Sequence, residues 1–229
     1  MVAVAVMTAA ATKLNDKKLH LCSFLFFERI FPAPYFYMTK GKIIVFTGPM
    51  FSRKTKSMVV ELERTFWRKR NFLAFRPALD VRTERSLEKE ICKALDMTME
   101  DVKKLVFPVS TLDQVEEKIR NKKLEAVAFD ETQFFDPWIV DIVRRLAWVA
   151  EVNVLISGLE LDYKREGFGH MPALLAIADE VHKLTSVCSK CGERARFTQR
   201  ISGTQEQVQV GGKGDYQARC ADCFYDFVS

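Results

Sequence analysis

"KIIVFTGPMFSRKT", Lys42 to Thr55, is the stretch that decides the fold. Its first half is a short β-branched, apolar run ending in glycine, which reads as a buried strand feeding a turn. Its second half, Gly48 to Thr55, follows the phosphate-loop pattern G-x-x-x-x-G-K-[ST] except at Arg53, which stands where the pattern has glycine. Gly48 opens the loop, Lys54 is placed to reach terminal phosphates, and Thr55 is placed to hold Mg²⁺. Beyond the loop, Val59, Leu62 and Phe66 recur near helical spacing. Strand, glycine loop, helix is the context a phosphate loop needs.

Working outward, the same alternation continues. "NFLAF" (Asn71 to Phe75) reads as a second strand, stopped at Pro77, and Leu87, Ile91 and Leu95 lie four apart as on a helix. "LVFPVS" and "LEAVAFDE" are further strands, with a charged helix over Leu112 to Lys122 between them. Asp136-Pro137 reads as a helix start, with Ile139, Ile142, Val143 and Leu146 on one face. "VNVLISG" is another buried strand, and "PALLAIADEV" a helix leading into a short strand near Val181. Strands alternating with helices imply an α/β fold: a mostly parallel sheet of the phosphate-loop type with helices on both faces. Near Ser186 cysteines, glycines and polar residues replace the apolar runs, so a smaller C-terminal part is expected over 186–229, after an α/β domain over 38–185.

Bulk properties bound the function without choosing it. The chain has 229 residues, 48% hydrophobic and 28% charged, with a formal charge of +5. Residues 1–37 hold four basic and two acidic side chains, which leaves +3 for the rest. So mild a charge suits an anionic small molecule as well as it suits nucleic acid and decides nothing alone; with no aromatic-basic interleaving in the cysteine-rich part, no stable nucleic-acid partner is expected. No stretch approaches the ~20 apolar residues that span a bilayer. "HLCSFLFFERIF" is interrupted by Glu28 and Arg29 and resembles neither a secretory nor an organellar leader, so a cytoplasmic protein is expected. Met38 reads as a natural start before the first strand. Residues 1–37 are expected to be an extension outside the fold, disordered or contributed by an upstream start.

Two further constellations carry chemistry. Cys188-x-x-Cys191 and Cys220-x-x-Cys223, 28 residues apart, are two knuckles able to place four thiolates around tetrahedral Zn²⁺. Four sulfur ligands leave no open position, so the zinc is structural, stapling a ribbon too short for its own core. Cys22 and Cys92 are plain thiols by spacing. The second constellation is Asp130-Glu131, at the end of an apolar strand 75 residues after Thr55. Two acids after a strand can be a solvated turn. Paired with a phosphate loop they read as a metal-facing carboxylate, Asp130, and a general base, Glu131. His20, His170 and His182 show no ligand spacing, and "WRKRN" reads as the solvated end of a helix.

Together "GKIIVFTGPMFSRKT", "FDETQFFD", "SGLELDYKREGFG", "ADEVHKLTSVCSKCG", "FTQR" and "VGGKGDYQARCADC" resemble the zinc-containing, type II thymidine kinases, in order and spacing, from Gly41 to Cys223. The resemblance implies transfer of the γ-phosphoryl group of ATP to the 5′-hydroxyl of thymidine, in nucleotide salvage for DNA synthesis. It also implies Mg²⁺ with the ATP, structural Zn²⁺ and a homotetramer. Carried over by motif, Gly48, Pro49, Met50, Phe51, Ser52, Arg53, Lys54 and Thr55 would cradle the ATP phosphates. Asp80 and Arg82 in "PALDVR", with Asp130 and Gln133, would complete the ATP site, and Glu131 would be the catalytic base. Met50, Phe134, Leu159, Tyr163, Phe168 and Thr198 would line the nucleoside pocket. A ribbon loop of Gln207, Val208, Gln209, Val210 and Gly211, with Tyr216 at its base, would close over the pyrimidine and read it through main-chain groups.

The chain departs from that family's pattern in places. Tyr163 and Gly167 replace phenylalanine and proline, and a helix-like segment from Leu87 to Lys104 replaces a serine-histidine tract. Arg53 is the departure with consequences. If its φ is positive it costs about 1–2 kcal/mol of strain, and a side chain in phosphate space would displace the γ-phosphate. The expectation is a protein that binds nucleotide and turns over weakly or not at all, the alternative to an active kinase being an inactive nucleotide-binding paralogue.

Overall fold

The computed structural model describes residues 41–80, 86–202, 207, 211–212 and 214–225. The extension 1–37 with His20 and Cys22, together with Arg82, Val208, Gln209 and Val210, lies outside the described residues.

β1 (Ile43–Thr47) lies between β5 (Asn153–Gly158) and β6 (Glu180–Lys183), and β4 (Ala126–Phe129) lies between β5 and β2 (Phe72–Pro77). β3 (Val106–Val109) forms the far edge, giving the order β3-β2-β4-β5-β1-β6. Every pairing in this sheet is parallel. Pro108 sits in an edge strand, where its missing N–H breaks no interior ladder.

Because side chains alternate along a strand, the sheet divides its apolar residues into two layers. Ile43, Val45, Phe75, Val127, Phe129, Val154 and Ile156 face one way. They pack on α4 (Leu112–Ile119), α5 (Trp138–Arg144) and α6 (Met171–Ile177) through Val115, Ile139, Ile142, Met171 and Leu174. Phe46, Phe72, Ala74, Ala128 and Leu155 face the other way. They meet α1 (Lys54–Trp67), α2 (Leu87–Leu95) and α3 (Met99–Val102) through Met58, Leu62, Leu87, Ile91, Leu95 and Val102. Two buried faces explain why these strands read as continuous apolar runs.

Local chemistry sets the helix ends. Ser86 and Thr98 accept from main-chain N–H groups three residues on, and Thr111 with Gln114 forms a reciprocal capping box. α5 begins at Trp138, one residue past the proline, with Ile139 N–H donating to Asp136 O. It runs on as a π-helical turn, Arg145–Val149, that buries Leu146. "WRKRN" is the end of α1, with Trp67 65% exposed. His182 stacks on Phe46, and His170 precedes α6, its main-chain oxygen accepting from Leu174 N–H.

From Ser186 onward the chain leaves the large sheet. β7 (Ser186–Val187) pairs antiparallel with β8 (Arg194–Ala195), and β9 (Phe197–Arg200) pairs antiparallel with β10 (Tyr216–Arg219) before α7 (Ala221–Tyr225). Two main-chain bonds, Ser189 N–H to Ala218 O and Arg196 N–H to Arg219 O, join the two hairpins.

Candidate active site

The segments that carry the motifs leave the carboxyl ends of β1, β4 and β5, where parallel α/β sheets place ligands. The loop after β1 is shaped by Gly48, whose φ is 135°. A Cβ there would lie 2.2 Å from the main-chain oxygen of Leu184, so no other residue fits. The loop ends in the N-terminus of α1, a fourteen-residue helix whose first main-chain N–H groups need acceptors. Phe51 and Arg53 both have φ of 66°. Arg53 therefore does adopt the left-handed conformation that its glycine counterpart would favour. Its side chain is exposed and lines a groove between the loop and the first cysteine knuckle, beside Ser186 and Gly192.

Thr55 and Asp130 meet. The Thr55 hydroxyl donates to Asp130 Oδ1 and Oδ2 at 3.0 and 3.2 Å, joining the residue after the loop lysine to the end of β4. Asp130 is 4% exposed. Burial, then the Glu131 carboxylate beside it, pushes its carboxyl up to about 7, against hydrogen bonds from Ser157 and Thr55. A cation between Thr55 and Asp130 would reverse that penalty, so the pair suits a divalent metal. Lys54 is buried, and its ammonium group donates to Pro49 O at 2.9 Å.

Glu131 follows with φ of 48°, a left-handed turn that swings its carboxylate from the strand axis toward a cavity. Gln133 holds it there: Nε2 donates to Glu131 Oε2 at 2.7 Å, while Oε1 accepts from Leu159 N–H at 2.9 Å. With 3% exposure and both ends of its amide occupied, Gln133 is placed to orient Glu131 and the turn after β5. Asp80 sits in the turn after β2, its main-chain oxygen accepting from Arg76.

The cavity that Glu131 enters is lined by Met50, Phe134, Leu159, Tyr163, Phe168 and Thr198. Gln207, Gly211 and Tyr216 come to it from the C-terminal part. Every described residue that the sequence suggests for a nucleoside pocket is thus brought to one place. Leu161, Asp162 and Arg200 also line it, and the sequence reading misses them. Arg200 was within reach, because it lies two residues from Thr198 on β9 and so shares its face. Asp162 gave no signal, since an acid in a polar loop has no period to betray it.

The ribbon and the loop are joined directly. Thr198 Oγ1 accepts from Met50 N–H at 2.9 Å, and Phe51 packs against the cluster formed by Cys188, Ala195, Ala218, Cys220 and Cys223. The sulfurs of Cys188, Cys191, Cys220 and Cys223 all lie within 4.8 Å of one another. Burial pushes the Cys188 thiol up, but main-chain donors at Cys220, Cys191 and Lys190 outweigh it and hold the group at about 6. Burial and the neighbouring thiols push Cys223 up to about 12. Four thiols so close cannot all ionise unaided; a soft dication is what lets them, so the set fits a metal ion.

The thymidine kinase family model matches residues 41–224. A thymidine kinase of Bacteroides thetaiotaomicron is 32% identical over 186 residues, covering 81% of this chain and 87% of that protein. The thymidine kinase of Mycoplasma genitalium is 35% identical over 190 residues, 82% of this chain and 84% of its own length. That of Mesoplasma florum is 33% identical over 194 residues, 80% and 91% of the two chains. With the match spanning both the large sheet and the cysteine ribbon, the chain belongs to the thymidine kinase family.

Proposed function

We propose that this protein is an active, ATP-dependent thymidine kinase, transferring the γ-phosphoryl group of ATP to the 5′-hydroxyl of thymidine in nucleotide salvage. The observation that carries the reading is the position of Glu131, next to the Thr55–Asp130 pair and lining a cavity walled by Phe134, Leu159, Tyr163 and Phe168. In phosphoryl transfer the protein contributes mainly positioning and charge neutralisation. The loop from Gly48 to Thr55 would hold the phosphates, with Lys54 turning from Pro49 O to them. Thr55 and Asp130 would hold Mg²⁺, which when bound neutralises the phosphate oxygens. Glu131, oriented by Gln133, would accept the proton of the 5′-hydroxyl. Phe134 and Phe168, edge to face at 5.6 Å, offer apolar surface to a pyrimidine. By the resemblance Asp80 and Arg82 would complete the ATP site, and main-chain groups of Val208, Gln209, Val210 and Gly211 would read the base.

The four cysteines would hold Zn²⁺, stapling the ribbon against Phe51 and Thr198. The inactive-paralogue alternative loses its main support, because Arg53 takes the backbone conformation the loop requires and its side chain is exposed. Among the described residues the sheet's outer strand β6 pairs only with β1, and Val60, Trp67 and Val181 are exposed, which is surface that further copies of the chain would cover in a homotetramer. No described helix is long and apolar enough to cross a membrane, and a cytoplasmic setting suits ATP, a reduced Cys₄ site and a nucleoside substrate. The test is direct: purified protein with Mg²⁺, ATP and thymidine should yield thymidine monophosphate. Nucleotide binding without product would sink the proposal.

A further inference from the structure

A buried carboxylate is costly unless its oxygens find donors. Asp162 is 3% exposed and lies in the wall of the cavity. Its Oδ1 accepts from the N–H groups of Lys164 at 2.8 Å and Glu166 at 3.0 Å, which closes the tight turn after Leu161. That turn satisfies one oxygen. The other, Oδ2, accepts from Gln207 Nε2 at 2.8 Å, a contact across 45 residues of sequence. Gln207 is held at a second point, where its main-chain oxygen accepts from Arg200 Nη2 at 3.2 Å. Arg200 is itself fixed. Its guanidinium lies 3.8 Å from the centre of the Tyr163 ring, and Nε and Nη2 donate to the Tyr216 hydroxyl at 3.1 and 2.8 Å.

Side-chain amide and main-chain carbonyl of one ribbon residue are therefore fastened from two directions, by the turn after β5 and by β9. A purely structural role for Asp162 would need only the turn. We infer that Gln207 is a positioning residue whose side chain latches the ribbon to Asp162 at the rim of the cavity, with Arg200 as second anchor, and so governs retention of the nucleoside. The inference rests on the cavity being the nucleoside site, and it concerns side-chain fastening, separate from any main-chain reading of the base. Hydrogen bonds to a charged group are the stronger kind, and a glutamate at 207 would set a second carboxylate against the first.

The experiment compares full-length wild type, Gln207→Glu, Asp162→Asn and the double variant Asp162→Asn/Gln207→Glu. Gln207→Glu should raise KM for thymidine about tenfold or more, a loss of at least about 1.4 kcal/mol of binding. Its kcat at saturating thymidine and its KM for ATP should stay near wild type. Asp162→Asn should be mild, since its amide can still pair with that of Gln207. The double variant should recover, because the new asparagine amide donates to the new carboxylate. Thymidine titration calorimetry on the same four proteins should give the same order. An unchanged thymidine KM in Gln207→Glu, a parallel loss of kcat and both KM values, or failure of the double variant to recover would each overturn the latch. If wild type phosphorylates no thymidine, the proposed activity fails by itself, and the calorimetric order then decides the latch: the expected order supports it and any other overturns it.

Discussion

Glu131 and Arg53 are both non-glycine residues with positive φ, at 48° and 66°, and the strain has a different meaning at each. At Glu131 it turns the carboxylate out of the β4 direction and into the cavity, where Gln133 fixes it. Glu131→Gln should therefore leave ATP binding near wild type while turnover falls by about 10²–10⁴-fold, the usual general-base range; steady-state kinetics with ATP titration checks this, and a loss of less than about tenfold would assign the proton to another acceptor. At Arg53 the strain belongs to the loop, and the exposed residue lines the groove beside Ser186 and Gly192. Arg53→Gly should raise stability by up to about 1 kcal/mol in urea unfolding, and change turnover by less than about tenfold. A rise of about a hundredfold would mean that the arginine obstructs the phosphates after all. Asp130 supplies the pH dependence. Its carboxyl is at about 7 in the fold, above the ordinary carboxylate value, so the metal-free native state binds the extra proton between about pH 4 and about pH 7. Stability from this group is full below that window and is lost as pH rises through it, with a slope of at most about 1.4 kcal/mol per pH unit. Metal-free Asp130→Asn should show a shallower decline in its urea midpoint over the same window, and equal slopes would remove the assignment.

At the scale of elements, the cysteine ribbon and the phosphate loop act on each other. Met50 N–H donates to Thr198, and Phe51 packs on the cysteine cluster. The protein should carry about one zinc per chain, the stoichiometry of a closed four-thiolate site. Cys188→Ser should lose metal, loosen the ribbon and raise KM for thymidine more than for ATP, because the ribbon brings Gln207, Gly211 and Tyr216 to the cavity. Metal analysis of freshly purified protein together with the two KM values checks this; absence of zinc, or a larger effect on ATP, would refute it. The four-cysteine cluster was legible as a candidate metal site from its paired C-x-x-C spacing alone. The ribbon's contact with Met50 was not, since a hydrogen bond between residues 148 apart leaves no local trace.

On the scale of the whole molecule, the family match begins at residue 41 and β1 at Ile43. A chain started at Met38 should therefore keep its fold, zinc content and thymidine kinase activity, read by unfolding, metal analysis and turnover; loss of any of them would give residues 1–37 a part in the protein. What the sequence by itself determined was the local and the periodic. The alternation of apolar strands and helical spacings specified a parallel α/β sheet because each strand needs both faces covered. The loop from Gly48 to Thr55 and the four cysteines were legible because their chemistry demands fixed spacing. Tertiary structure alone decided what distant segments do together. It closed the Thr55–Asp130 pair, committed both ends of Gln133, set Arg53 in a groove beside Ser186 and Gly192, and set Asp162 and Arg200 around Gln207. The physical reason is the same in each case: a side chain's role there depends on direction and burial, which follow from how strand ends and turns converge in space and from no pattern along the chain.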